Sequence, residues 1–504
     1  MKTQPSKLAN WFFPLLVAAT TGFAFFPALS NGFVTWDDPD NLIKNVHYQG
    51  LHWVNIKWML TSFYMGVYIP LTWITFSLDY LVWKLNPFGF HLTNIVLHGM
   101  SAVLVYHIAY RLLNEDPGRS LRLDSRLYLS LASAIAALCF AIHPLRVESV
   151  AWATERRDVL SCFFFLWTIL FYLKEAPLPT PQQDGAWIWR WASIAAYALS
   201  LLAKATGITL PFLLLVIDVY RYQQINVNGG RAPFPWKRCL YEKLPYFVLA
   251  LPIAIVAMYG QKQDMTMAPV GLFDLRMRIA VASHSVLFYL WKTLWPIHLS
   301  PLNPLPDLEA LHRWPYTAYP ILVVLVSVLL AKKARQVPAL CAAWLWYLIA
   351  LFPVSGFFQC GWQLTADRYS YFPSLSWAVL LGGCFLQIMH HPETPHARFY
   401  GIATGTVALL LGWVILTRQQ IRIWHDTLSL WSHVVRLHPE SVSARNNVGA
   451  ALAEQGRLEE AVKQFQFALQ MDPGHEGARN NLKKALDLLR KQHSSLHSVN
   501  VKKL

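Results

Sequence analysis

Apolar runs recur along most of this chain and are separated by short, basic loops, an arrangement that no water-soluble core can use. The runs lie near 11–29, 91–112, 127–142, 159–173, 191–202, 208–220, 244–259, 318–330, 339–352, 373–388 and 402–416. In a bilayer every backbone N–H and C=O must find its partner within the spanning element, so these runs read as helices. With 55% hydrophobic residues and 22 Trp among 504 residues, the apolar surface exceeds what one soluble domain can bury. The expected fold is all-α: a polytopic helical membrane domain over 1–420, with about 11 spans, followed by a small helical domain.

Charge sets the expected orientation. Lys2 and Lys7 precede the first run, which is long for a cleaved signal and reads as an uncleaved first helix with a cytoplasmic N-terminus. Arg111, Arg119, Arg122 and Arg126 mark one cytoplasmic return; Arg221, Arg231, Lys237, Arg238 and Lys243 mark another, and 174–190 reads as a Pro-rich cytoplasmic linker. Segments 30–90, 143–158 and 354–372 then face the opposite side. Segment 280–295 is read as a surface or re-entrant helix, because a full crossing would carry Lys332, Lys333 and Arg335 to the wrong face. The net charge of +15 is thereby assigned to orientation and anionic lipid headgroups, with no nucleic-acid partner. Six scattered cysteines, Cys139, Cys162, Cys239, Cys341, Cys360 and Cys384, show no ligand spacing and read as small core residues.

Against this background one acidic stretch stands out. Trp36-Asp37-Asp38-Pro39-Asp40 places three carboxylates within four positions just past the first span, in a chain only 14% charged. Two readings stand on spacing alone. Asp-Pro and Asp-Asn pairs form ordinary turns, with Asp40 in a turn-forming role. Alternatively Asp37 and Asp38 supply a general base for an acceptor hydroxyl, a divalent-cation site, or both. On an extended strand the two side chains would point to opposite faces.

Two further loops share that face. The first carries His143, Arg146, Glu148, Glu155, Arg156, Arg157 and Asp158; the second carries Asp367, Arg368 and Tyr369, and Lys204 lies near a helix end on the same side. Guanidinium groups at a membrane boundary suit a lipid-linked phosphate, since their forked donors bind an oxyanion bidentately. The competing reading has the arginines paired with local acids: Glu155 and Asp158 at helical spacing, and Asp367 beside Arg368. His91, His98 and His107 fall at near-helical offsets without an acidic second shell, and read as packing.

The tail carries a repeat signature. Val448-Gly449, Leu452, Gly456, Ala461, Phe465, Ala468 and Pro473 fit a tetratricopeptide (TPR) repeat over 442–475, inside a TPR region of 421–493, with 494–504 expected to be loose. So short an array is expected to lean on the membrane domain or a partner.

These residues together resemble the TMTC (transmembrane and TPR repeat-containing) family and its bacterial relatives. The resemblance rests on the acidic pair after the first span, Tyr68-Ile69-Pro70-Leu71-Thr72, Leu85 to His91, His143-Pro144 with Glu148, Arg157-Asp158, Ala366 to Tyr369, and the TPR tail. It implies a GT-C-type fold and a glycosyltransferase using a polyprenyl-phosphate sugar donor, with the active site away from the cytoplasm. By that resemblance one of Asp37 and Asp38 deprotonates the acceptor hydroxyl and the configuration inverts. Arg146, Arg157, Arg368 and Lys204 are the candidates for the donor phosphate, and Trp36, Asp40, His143, Glu148, Asp158, Asp367 and Tyr369 support the site. It also implies a hexose such as mannose, a protein Ser or Thr acceptor, and, with so short a tail, a bacterial inner-membrane protein whose site and tail are periplasmic. The sequence departs from the eukaryotic pattern in its short TPR array and in reading Glu155-Arg156-Arg157-Asp158 where those proteins carry a Gly-Arg core. Two other classes remain open: a non-catalytic membrane-anchored TPR scaffold, and a transporter or flippase. The latter lacks the mid-span acid such proteins use, since Asp79 and Asp218 sit near span ends.

Overall fold

The computed structural model describes residues 7–114, 123–175, 186–226, 233–263, 273–358, 361, 363–390 and 396–501. Arg119, Arg122, Arg231, Cys360 and the linker residues 176–185 lie outside them. The described chain is almost wholly helical; its one sheet is the short antiparallel pairing of Asn303–Pro304 with Gln363–Thr365. Each apolar run forms a helix. Five of the resulting segments are long and apolar enough to cross a bilayer: Trp11–Ser30, Pro87–Asn114, Ala205–Gln224, Trp236–Lys262 and Tyr400–Ile423. A sixth arises if Arg126–Ala141 and Pro144–Ala151, bent by 54° at a break, count as one span. The break falls at His143-Pro144, where the residue before proline is pushed out of helical geometry.

Other runs give helices that are shorter or more polar, namely Arg156–Glu175, Ala186–Ala203, Tyr319–Lys332, Pro338–Leu351 and Leu375–His390. Segment 280–295 belongs to the helix Leu275–Leu294, which carries Arg276, Arg278 and Lys292 and is not among the five. At the end of the bundle remote from Asp37, Lys243 and Asp218 form a buried ion pair. The Tyr172 hydroxyl donates to both Asp218 oxygens at 2.7 and 2.8 Å, tying three helices together.

The stretch between the first span and Pro87 folds on its own small core. Helices Trp53–Thr61 and Pro70–Trp83 enclose Leu42, Tyr48, Met59, Trp73 and Phe76, with Phe90 and Ala153 closing the cluster. Gly89 is required beneath this unit, because a Cβ there would lie 2.2 Å from the Trp83 ring. Arg156 is the buried clamp that fixes the unit to the bundle. It pairs with Asp79 at 2.5 Å, donates to Asn94 Oδ1 at 2.9 Å and to the Phe90 carbonyl at 2.8 Å, and lies over the Phe76 ring.

The tail forms four consecutive helices: Thr427–Leu437, Val442–Glu454, Leu458–Met471 and Glu476–Val501. Asp426 caps the first by accepting from the Ser429 N–H at 2.8 Å, and Ser441 caps the second through the Ala444 N–H. Gly449 lets the second and third helices approach, since a Cβ there would meet the Phe465 ring at 2.6 Å. The final helix runs to Val501, so residues 494–501 continue in helix where the sequence suggests a loose end.

Candidate active site

The acidic stretch is a turn leading into one π-helical turn, Pro39–Ile43, and not the extended strand on which the two side chains would oppose each other. Pro39 starts the turn because it needs no N–H partner at a first helical position. The two neighbouring carboxylates meet different environments. Asp38 is fully buried and accepts three hydrogen bonds, from the Val34 N–H at 2.9 Å, the Thr154 N–H at 3.1 Å and the Thr154 hydroxyl at 2.5 Å. Burial pushes its carboxyl up to about 6 in spite of those donors. With three of its roughly four acceptor positions used, Asp38 is a strut joining the first loop to the second.

Asp37 is the accessible partner. Its side chain is 24% exposed and lies 3.6 Å from the Arg157 guanidinium. Burial raises its carboxyl above the usual carboxylate range, and Arg157 and Arg368 pull in the opposite sense. Asp40 points away to an exposed pair with Lys44 at 2.9 Å, while its carbonyl accepts from the Tyr64 hydroxyl.

Behind Asp37 the cations converge on Glu155, a residue whose sequence position suggests only a local partner. The fully buried Glu155 carboxylate accepts from Arg157 at 2.6 and 3.1 Å and from Lys204 at 3.1 Å, and Arg368 lies 3.3 Å away. Burial pushes Glu155 up, and the attraction of Arg157, Lys204 and Arg368 outweighs it, holding the carboxyl well below its ordinary range. Lys204 also donates to Asp158 at 2.7 Å, and Arg368 is paired with Glu148, whose other oxygen accepts the Arg368 backbone N–H at 3.0 Å. Arg368 thus pairs with neither Asp367 nor Asp37, and Arg156 with neither Glu155 nor Asp158. Local pairing thus holds for Arg157, which bonds Glu155 two positions away, and gives way for Arg156 and Arg368, whose buried partners come from distant segments.

Arg146 is different. It is buried, stacks between the Phe140 and Tyr371 rings and donates to the Ser370 hydroxyl at 2.6 Å, while its Nε and Nη1 groups have no hydrogen-bond partner among the described residues. It underlies the cluster without touching Asp37. The His143 Nδ1 accepts from the Leu145 N–H at 3.2 Å, so Nε2 carries the proton given to the Thr293 carbonyl at 3.1 Å, and the ring serves as a helix cap. Asp367 keeps one buried oxygen without a hydrogen-bond partner among the described residues, and the Tyr369 hydroxyl accepts from Gln363 at 2.6 Å while its ring lies under Arg368. Among the described residues no group of three or more His, Cys, Asp and Glu is arranged to hold a metal ion. His98 bonds to the Tyr371 hydroxyl at 2.6 Å and the Ala141 carbonyl at 2.9 Å.

The tail completes the wall. Trp36 stacks on Trp431 with ring centroids 4.9 Å apart and an interplanar angle of 16°, and its other neighbour is Trp152 at 5.7 Å. The Trp431 indole N–H donates to the Thr35 carbonyl at 3.0 Å. Thr427 Oγ1 accepts the Thr35 N–H at 2.9 Å, and the Gly32 N–H donates to the His425 carbonyl at 2.9 Å. The residues flanking Asp37 are therefore held by a helix almost 400 positions away, a contact that no local pattern announces. Losing one stack and one hydrogen bond costs about 1–3 kcal/mol of loop positioning. Trp431→Ala is accordingly expected to loosen the stretch around Asp37, checked by faster amide hydrogen exchange over residues 32–38 in the full chain.

Comparison with known proteins gives one consistent signal. The chain is 25% identical over 475 residues to Protein O-mannosyl-transferase Tmtc3 of Drosophila melanogaster, covering 84% of this chain and 50% of that protein. It is 24% identical over 464 residues to Protein O-mannosyl-transferase TMTC1 of Homo sapiens, covering 82% and 49%. To Protein O-mannosyl-transferase TMTC4 of Mus musculus it is 25% identical over 509 residues, covering 92% and 66%. The homology is distant and extends over most of this chain, which itself spans about half the length of the first two relatives. No family model and no solved structure matches it.

Proposed function

We propose that this chain is a membrane glycosyltransferase that moves a hexose, mannose by analogy with its relatives, from a polyprenyl phosphate to a hydroxyl on the non-cytoplasmic face. A protein Ser or Thr is the proposed acceptor. The observation that carries the reading is Asp37: a carboxylate open to solvent and raised by burial, set against a buried bank of cations, in a chain similar over most of its length to O-mannosyl-transferases. A general base works best when its pKa lies near the working pH, and burial moves Asp37 in that direction.

In this mechanism Asp37 accepts the proton of the acceptor hydroxyl as its oxygen attacks the anomeric carbon. The bond from that carbon to the phosphate oxygen breaks, the polyprenyl phosphate leaves with the electron pair, and the configuration inverts. Arg157, Arg368 and Lys204 offset the charge that develops on the departing phosphate, with Arg146 adding positive potential from beneath. Asp38, Glu148, Glu155, Asp158 and His143 hold this geometry. Asp38 is too enclosed to share the base's role, which separates two residues that the sequence leaves equivalent.

The same proposal takes all 11 apolar runs as spans, the shorter helices crossing with the support of their neighbours, and reads the four tail helices as a short TPR unit beside the site. It locates the protein in a bacterial inner membrane. Transfer of labelled mannose from polyprenyl phosphate to a hydroxyl acceptor, by the full chain in proteoliposomes, tests it. Absence of transfer across donor sugars, with partner binding carried by residues 421–504 and unaffected by Asp37→Asn, would favour the scaffold reading instead.

A further inference from the structure

A cavity of about 560 Å³ lies inside the bundle, between Pro87–Asn114, Arg156–Glu175, Leu210–Asn226, Pro338–Leu351 and Leu375–His390. Its wall is apolar, with Ile108, Leu166, Ile217, Leu340, Trp346 and Val379 among the lining side chains. It does not belong to the Asp37 site. Leu166 lies ten residues along its helix from Arg156, which at 1.5 Å per residue is about 15 Å. A packed layer intervenes: Phe165 meets Phe372 edge-to-face at 5.1 Å, and the Trp346 indole N–H donates to the Phe372 carbonyl at 3.3 Å.

The other end of the cavity differs in character. Tyr220, Gln224, Gln336 and Gln387 line it there. Immediately before Gln336 the chain presents Lys332, Lys333 and Arg335, all exposed to solvent. An apolar chamber within membrane-embedded helices, with a polar mouth flanked by three cations, has the chemistry of a lipid: hydrocarbon inside, anionic headgroup outside. Its volume lies in the ordinary range of about 300–1,000 Å³ for small-molecule sites.

We propose that this cavity holds an acyl chain of an anionic phospholipid whose phosphate rests on Lys332, Lys333 and Arg335, at the end of the bundle remote from Asp37. The polyprenyl donor is the wrong occupant, because its phosphate would have to sit on the far side of the Phe165–Phe372 layer from the Arg157 and Arg368 cluster. The site is independent of the proposed transfer chemistry.

Native mass spectrometry of the full chain, purified in detergent and offered an equal mixture of phosphatidylglycerol and phosphatidylcholine, tests the assignment. The expected result is selective retention of phosphatidylglycerol. The triple charge reversal K332E/K333E/R335E, confined to exposed positions, should weaken that preference roughly a hundredfold, since each basic residue near an anionic headgroup contributes about fivefold. Val379→Trp, which fills the chamber, should abolish retention of both lipids. Equal retention of the two lipids by the unaltered chain, an unchanged preference in the charge-reversed variant, or displacement of phosphatidylglycerol by polyprenyl phosphate would each overturn it.

Discussion

Asp37→Asn is expected to reduce sugar transfer by about 10²–10⁴-fold, the usual contribution of a positioned general base, while donor binding persists. The amide has the same shape and still reaches toward Arg157, 3.6 Å from the native carboxylate, so the surrounding loops keep their support. What disappears is the proton acceptor. Asp40→Asn is the matched control: the Asp40 side chain is exposed and pairs with Lys44, and exposed pairs of this kind contribute about 0–1 kcal/mol. The pH dependence follows from the same residue. The proposed base works ionised, and burial holds its pKa above the ordinary aspartate value of about 3.9. Transfer should therefore decline as pH falls through that raised pKa, with an acid limb lying above the ordinary carboxylate range. The initial rate of labelled-sugar transfer against pH measures both effects.

Glu155→Ala should produce the second large loss, in stability and activity together. One buried carboxylate neutralises Arg157, Lys204 and Arg368, and its removal leaves three cations facing one another with only Glu148, Asp158 and Asp37 at their margins. Breaking a buried ion pair from one side costs about 3–5 kcal/mol, because the abandoned charge stays desolvated. Melting of the detergent-solubilised protein should drop by several degrees. The sign of the pH effect is fixed by the depressed carboxyl. A group whose folded pKa lies below its unfolded value contributes stability that is complete above the unfolded value, near 4.3, and is lost as pH falls through the lower folded one. The gap between native and variant melting should accordingly be widest above about pH 5 and close in strong acid. Unchanged melting at neutral pH would show that Glu155 is not the hub.

The helical membrane character was readable because its signal is local: long apolar runs and basic loops need no knowledge of distant contacts, although five or six helices, and not 11, are long and apolar enough to cross by themselves. The acidic stretch was readable as a candidate for the same reason. The division of labour within it was not, because Asp38 becomes a strut only through Thr154, 116 residues away. Arg156 likewise looks equivalent to Arg157 in sequence, yet one clamps Asp79 and Asn94 deep in the bundle and the other faces Asp37. Local spacing suggested that the arginines pair with their neighbours, which holds for Arg157 and Glu155, whereas Arg156 and Arg368 take partners from distant segments. The contact of Trp431 with Trp36 joins regions almost 400 positions apart, and only the folded structure brings the tail to the site.

The anomeric configuration of the product, read by NMR after transfer from a lipid donor of known anomer by the reconstituted full chain, tests the central claim most directly. A single displacement assisted by Asp37 yields the opposite anomer to that of the donor. Retention of the donor's configuration, or no transfer to any hydroxyl acceptor, would contradict it.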